Sequence, residues 1–200
     1  RPVMRFVALA ADFDGTLATD GVIDPATVAG LERLRASGRA LIMVTGRELP
    51  ELQATCPHLH LFSLVVAENG ALLYWPADER TRLLAEPPPA ELVETLRRKH
   101  VTPLSVGHGI VATWHPHERT VLDAIRELGL EHQVIFNKGA VMILPPGINK
   151  ASGLTAGLQE LGLSVHNVVG VGDAENDHSF LGLCECAVAV ENALPTLKQR

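Results

Sequence analysis

The sequence predicts an α/β protein: a parallel sheet with helices on both faces, interrupted by an inserted α+β unit with an open antiparallel sheet. Three observations predict it. Short apolar runs alternate with helical segments at both ends of the chain, the pattern of strands joined by right-handed crossovers. The middle instead pairs short strands around Gly- and Asn-rich turns, interleaved with two helices. Acidic or hydroxyl residues recur where the apolar runs of the outer parts end. Residues 1–70 and 146–200 are therefore expected to form a discontinuous core, with 71–145 inserted into it.

The totals limit the classes of function. The chain has 200 residues, 46% of them hydrophobic and 20% charged, enough for a real core. A formal net charge of −6 excludes a general nucleic-acid binder, which needs a basic face. No apolar run approaches the roughly 20 residues of a membrane helix, so no membrane partner is expected. The start of the chain lacks a secretory pattern. Arg1-Pro2-Val3, ahead of Met4, is set aside as appended or upstream sequence. The three cysteines make no disulfide framework. Cys184 and Cys186 read as small, half-buried residues, and a reducing, cytoplasmic setting is expected.

The elements follow in order. The apolar run Phe6–Ala11 leads into Asp12, then Phe13, Asp14 and the turn Gly15-Thr16. A continuous apolar run closed by a turn reads as a buried parallel strand. Asp24-Pro25 is an N-cap followed by Pro at the first helical position. That helix carries Val28, Leu31 and Leu34 on one face and stops at Gly38. Ala40–Val44 is the second strand, ending in Thr45-Gly46-Arg47. A short helix over Leu49–Thr55 and a third strand over Leu64–Ala67 follow, then Glu68-Asn69-Gly70.

In the inserted part, Ala71–Trp75 and Thr81–Leu84 read as strands around a turn. Pro87-Pro88-Pro89 precedes a helix over Ala90–Lys99. Leu104–Val106 and Ile110–Trp114 are short strands around Gly107-His108-Gly109. A helix over Pro116–Leu128 closes at Gly129, and Val134–Phe136 pairs with Ala140–Leu144 across Asn137-Lys138-Gly139. Pro145-Pro146-Gly147 marks the return to the core. Asn149 starts a helix with Lys150, Leu154, Leu158 and Leu161. Asn167–Val171 is a strand running into Gly172-Asp173-Ala174-Glu175-Asn176-Asp177, with a helix to Leu183. Ala187–Val190 is the last strand, and Glu191-Asn192-Ala193 opens a final helix. The chain stops within that helix, which points to a closing element beyond Arg200.

The strand ends collect the chemistry. In an open, Rossmann-like α/β sheet, ligands bind outside the carboxyl ends of the strands. Asp12 and Asp173 each end a strand, so those strands are expected side by side. That places Asp12, Asp14, Asp173 and Asp177 in one cleft. Carboxylates crowded at a buried edge repel one another and lose hydration. A divalent cation with oxygen ligands, Mg²⁺ above all, relieves that repulsion and pairs naturally with a phosphate. Thr45, the amides of Gly46 and Arg47, and Lys150 are donors suited to an anion. Acids and a metal on one side with donors on the other describe phosphoryl transfer.

Asp12-Phe13-Asp14-Gly15-Thr16, Val44-Thr45-Gly46-Arg47, Asn149-Lys150 and Gly172-Asp173-Ala174-Glu175-Asn176-Asp177 resemble the four motifs of the haloacid dehalogenase superfamily. The insertion resembles the smaller cap of its Cof-like, type-II subclass. The resemblance spans essentially the whole chain. It implies an Mg²⁺-dependent phosphatase acting on a small phosphorylated metabolite, a sugar phosphate or a phosphorylated organic acid. Asp12 would be the nucleophile and form an aspartyl-phosphate. Asp14 would be the general acid and then the base. Thr45 and Gly46 would hold the phosphoryl group, with Lys150, Asn176 and Arg47 as further anion or orienting contacts. Asp12, Asp173, Asp177 and the main-chain carbonyl of Asp14 would hold the metal.

Two other functions share these features: a phosphomutase on the same scaffold, and a non-enzymatic Asp phosphoacceptor switch. Several residues have plainer readings. Glu175 reads as a solvated loop acid and Asn69 as a residue shaping the turn into the insert. Lys138 is read as a solvated turn lysine rather than a group reaching the cleft. His58-Leu59-His60 and His115-Pro116-His117 read as loop residues. Side-chain alternation puts Asp12 and Asp14 on one side of their segment and Phe13 on the other, in the core.

Overall fold

The computed structural model describes residues 5–199. Arg1-Pro2-Val3 and the end of the chain at Arg200 lie outside the described residues.

The first half of the core alternates as expected: β1 (Ala8–Asp12), α1 (Pro25–Ala36), β2 (Ala40–Val44), α2 (Leu49–Thr55) and β3 (Leu64–Ala67). α1 begins where it should because Asp24 accepts the amides of Ala26 at 2.8 Å and Thr27 at 3.0 Å, satisfying donors the first turn leaves unpaired. Next come β4 (Leu72–Trp75), β5 (Arg80–Leu83), α3 (Ala90–Arg98), β6 (Ser105–Val106), β7 (Val111–Trp114), α4 (Glu118–Glu127), β8 (Gln133–Asn137) and β9 (Ala140–Leu144). The return is α5 (Lys150–Leu161), β10 (Val168–Gly172), α6 (His178–Leu181), β11 (Cys186–Ala189) and α7 (Pro195–Lys198).

A seven-stranded sheet runs in the order β11-β10-β1-β2-β3-β4-β5. Strands β11 to β3 are parallel, with β10 and β2 flanking β1. Asp12 pairs with Val44 in register, and Ala11 pairs with Val171 on the other side. The carboxyl ends of β1, β2 and β10 therefore meet. One face of the sheet packs Leu41, Met43 and Val65 under α1 with Phe13. The other packs Ala10, Ile42, Val44 and Val66 against Leu154 and Leu158 of α5 and Phe180 of α6. Alternating side chains fill both layers.

The first hairpin of the expected insertion does not join the small sheet. β4 pairs antiparallel with β3 and carries β5 as the outer edge of the large sheet. The reason lies in β4, where Leu72, Leu73, Tyr74 and Trp75 are all buried. Such a strand needs cover on both faces, and only the large sheet offers that. β5 is exposed throughout, with Arg80 and Arg82, a charged edge that resists further pairing.

The second sheet, β6-β7-β9-β8, is antiparallel. α3 and α4 cover one face through Leu92, Leu96, Val121 and Ala124. From the other face, Met142 and Leu144 join a cluster with Ala71 and Ile110. Two shorter departures occur near the end of the chain. The helix after Asp177 stops at Leu181. The final helix starts at Pro195, not at Glu191–Ala193, because Ala193 N turns back to Val190 O at 3.0 Å and Leu194 N to Asp173 O at 2.9 Å. Among the described residues, no helix is long and apolar enough to cross a membrane.

Candidate active site

β1 delivers Asp12 to a buried position, and Phe13 turns into the core with no exposed surface. α5 delivers Lys150 from the other side of the sheet end. Asn149 caps that helix: its Oδ1 accepts Ser152 N at 3.0 Å, and Ser152 Oγ accepts Asn149 N at 2.9 Å, a reciprocal box that fixes the first turn. The cap places Lys150 Nζ 2.6 Å from both Asp12 Oδ1 and Asp177 Oδ1. All three side chains are buried. Asp177 Oδ2 also accepts the amides of Asp173 at 2.9 Å and Ala174 at 3.1 Å, which folds the 173–177 loop onto itself.

The close approach of α5 depends on Gly70 and Gly153. A Cβ on Gly153 would lie 2.5 Å from Gly70 Cα and 2.6 Å from Val66 Cγ1. Gly70 has φ +103° and faces Asn149 O with no room for a side chain. Glycine is the residue that permits both.

Electrostatics in this cluster are strong. Burial pushes the Asp12 carboxyl up to about 7 against the pull of Lys150. Burial also opposes the charge on Lys150, but Asp12 and Asp177 outweigh it and hold the ammonium above its usual range. One carboxylate oxygen each from Asp12, Asp173 and Asp177 lies within 4.8 Å of the others. An all-carboxylate set at this spacing, buried and carrying more negative charge than Lys150 balances, fits a hard divalent cation.

The remaining expected residues surround that center. Thr45 is buried at the end of β2, and its Oγ1 accepts Arg47 N at 3.1 Å. Arg47, expected toward the phosphate, instead grips Asp14. Its Nε and Nη2 donate to the two Asp14 oxygens at 2.7 Å each, and its Nη1 donates to Glu51 at 3.0 Å. The Asp14 hydrogen bond and charge raise the Arg47 pKa against the cost of burial. Asp14 is thus held by Arg47, with its side chain 45% exposed. Asn176 Nδ2 donates to Asn69 Oδ1 at 3.1 Å, and a Cβ on Gly46 would come within 4.0 Å of both side chains. Asn69 Nδ2, a donor, and Asn176 Oδ1, an acceptor, are buried with no partner.

Three residues belong here that the sequence reading left aside. Asn69 has φ +53°, so it shapes its turn as expected, but its amide also lines the site. Glu68, beside it at φ +51°, is fully buried. Its carboxylate accepts His108 N at 3.1 Å and Gly109 N at 2.8 Å, with His108 Nδ1 at 3.0 Å. Glu68 therefore ties the end of β3 to the β6–β7 turn. The available signal was the polar triplet Glu68-Asn69-Gly70 at a buried strand end, the same location as Thr45. Lys138, expected in solvent, bridges from the β8–β9 turn to Asp173 Oδ2. Nothing local in the sequence announces that contact.

A family model described as haloacid dehalogenase-like hydrolase matches residues 9–121 and 120–200. A phosphoglycolate phosphatase of Methanothermobacter thermautotrophicus is 31% identical over 202 residues, covering 96% of this chain and 88% of its own. An HMP-PP phosphatase of Cronobacter sakazakii is 28% identical, covering 94% and 85%. Among solved structures, a HAD/COF-like hydrolase from Plasmodium vivax superposes with a TM-score of 0.80 at 19% identity, covering 99% of this chain and 89% of that one. A haloacid dehalogenase-like hydrolase from Bacteroides thetaiotaomicron gives 0.78 at 18%, covering 97% and 91%. These two likenesses show the fold.

Proposed function

The chain belongs to the haloacid dehalogenase-like hydrolases and is a phosphoric monoester hydrolase, and from that premise we propose that it is a Mg²⁺-dependent phosphatase of a small phosphorylated organic acid. The observation that carries the reading is Lys150 bridging Asp12 and Asp177 at 2.6 Å, with Asp173 in the same cluster. The relatives named phosphoglycolate phosphatase favor an acid over a sugar phosphate. We draw the core to include the Leu72–Leu83 hairpin, so that the inserted unit spans 86–145. The free cysteines suit a cytoplasmic setting.

Asp12, Asp173, Asp177 and the carbonyl of Asp14 would hold Mg²⁺, which when bound supplies positive charge against the phosphoryl oxygens. An Asp12 carboxylate oxygen attacks phosphorus and forms the aspartyl-phosphate as the ester P–O bond breaks. Asp14, protonated once it leaves the Arg47 guanidinium, gives that proton to the departing oxygen. Asp14 then takes a proton from water, whose oxygen attacks phosphorus, and the Asp12 carboxylate and inorganic phosphate are released. Lys150 holds Asp12 in line and screens the charge on the phosphoryl group. Thr45, Gly46 and Asn176 orient that group, and Arg47 holds Asp14 in its ionized form between the two proton transfers.

Replacing Asp12 by Asn tests the reading directly. Phosphate release from a small phosphomonoester in Mg²⁺ should fall by about 10⁴-fold or more. Turnover retained in Asp12→Asn would end the assignment. Measuring released inorganic phosphate, rather than substrate loss, separates hydrolysis from a mutase.

A further inference from the structure

The mechanism leaves one cation of the site without a task. Lys150 is held by two acids, and Arg47 by Asp14 and Glu51. Lys138 has one acidic partner, Asp173, and its side chain is 47% exposed while that of Asp173 is 1% exposed. It is the cation that the inserted unit extends into the site, from a turn where its own φ is +48°.

Its location is specific. A Cβ built on Gly15 would lie 2.9 Å from Lys138 Nζ. Gly15 follows Asp14, the group that meets the leaving oxygen in the proposed reaction. In-line displacement puts the leaving group opposite Asp12, toward the inserted unit. Lys138 therefore stands over the leaving-group side, with Trp114 next to it: the Trp114 ring is 3.7 Å from a Cβ built on Gly139.

Asp173 is one of the three carboxylates that fit a divalent cation. A cation there neutralizes Asp173 and repels the ammonium. Lys138 is then a charged donor on a flexible stem with no acid to hold it. An anion on the leaving group offers a replacement.

We propose that Lys138 reads the substrate: it rests on Asp173 until a divalent cation takes that carboxylate, and then binds a carboxylate on the leaving group. This rests on the phosphatase reading above. The substrate class is a phosphorylated hydroxy acid short enough for its carboxylate to lie within one lysine length of the ester oxygen. The transferring phosphoryl group is left to Lys150, Thr45, Gly46 and Asn176.

Two probes of nearly equal size separate the roles: 2-phosphoglycolate, which carries the carboxylate, and 2-hydroxyethyl phosphate, which does not. With Mg²⁺ present, Lys138→Met should lower kcat/KM for the acid by about 10- to 100-fold, mostly through KM. It should leave the neutral probe within about twofold. Lys138→Arg should keep most of the preference for the acid. In calorimetry without substrate, Lys138→Met should bind Mg²⁺ more tightly than the parent, because the competing ammonium is gone. An unchanged thermal midpoint for both variants shows that the fold is intact. Equal losses on both probes, no loss on either, or weaker Mg²⁺ binding in Lys138→Met would overturn the proposal. Hydrolysis of the neutral probe by the parent chain reports on the phosphatase reading by itself. The role of Lys138 is read from the ratio of the two probes, so the two ideas fail separately.

Discussion

The seven-stranded sheet has helices on both faces, and its interior strands read as unbroken apolar runs, as in Leu41–Val44 and Leu64–Ala67. The four-stranded sheet has helices on one face and the strand-end site near the other. Trp114 and Phe136 on its strands are 51% and 49% exposed. The charges follow the same division. The large sheet and α5 supply Asp12, Asp177 and Lys150, each buried and tied to partners at fixed distances. The small sheet supplies Lys138, half exposed on a turn. Groups that must not move are placed by a core that cannot rearrange cheaply. The group proposed to read the substrate stands on a segment that can change without disturbing that core.

The same division decides what could be read from sequence. Strand ends and helix starts are local features, so Asp12, Thr45 and Asp173 announce themselves by apolar runs that stop in polar residues, and Lys150 by the helix start at Asn149. Asp24-Pro25 and Asn149 announce their helices by cap chemistry. β4 shows the limit. Leu72–Trp75 carries the unbroken apolar signal of β1 to β3, yet its turn at Pro76-Ala77-Asp78 resembles the hairpins that follow. Which strand it pairs with is a non-local matter that no periodicity encodes. The Glu68 clasp on His108 and Gly109 and the Lys138 bridge to Asp173 span 40 and 35 residues. They depend on how the inserted sheet docks, and the sequence carries no local mark of them.

The sharpest way to break the contrast is to remove the fixed cation. Lys150→Met leaves Asp12 and Asp177 buried without their shared partner. In chelator, that should cost about 3–5 kcal/mol in urea unfolding, and added Mg²⁺ should restore part of it. Lys99→Met, which breaks the half-exposed Lys99–Glu127 pair of the inserted unit at 2.8 Å, should not shift the midpoint measurably. Similar losses from the two variants would dissolve the distinction.

A smaller effect checks the placement of β4. Leu73 is fully buried among Leu64, Val66, Leu154 and Leu158. Leu73→Ala should therefore cost about 2–4 kcal/mol through lost burial and the cavity left behind. Phe136→Ala, on an exposed position of β8, should stay within about 1 kcal/mol. Hydrogen exchange adds the location. Amides of β4 should be protected together with β3, and protection that follows β8 and β9 instead would assign the hairpin to the inserted unit.

The smallest effect isolates a charge that serves the large sheet without touching the site. Asp24 caps α1, accepting Thr27 Oγ1 at 2.6 Å as well as the amides of Ala26 and Thr27. The Thr27 hydroxyl and then its amide hold the Asp24 carboxyl below its ordinary value of 3.8. A folded-state pKa below the unfolded one means that the unfolded chain binds more protons as the solution is acidified. The contribution of the cap is therefore complete above the unfolded value and is lost as pH falls through the folded one. The difference in Tm between the parent and Asp24→Ala should be constant from about pH 7 to about pH 5 and shrink below about pH 4. Asp24→Asn keeps an oxygen for the same amides, so its smaller deficit should show no such decline. A parent–Ala difference that grew in acid would mean that Asp24 acts through its neutral form, and that α1 is anchored by its apolar face on β2 alone.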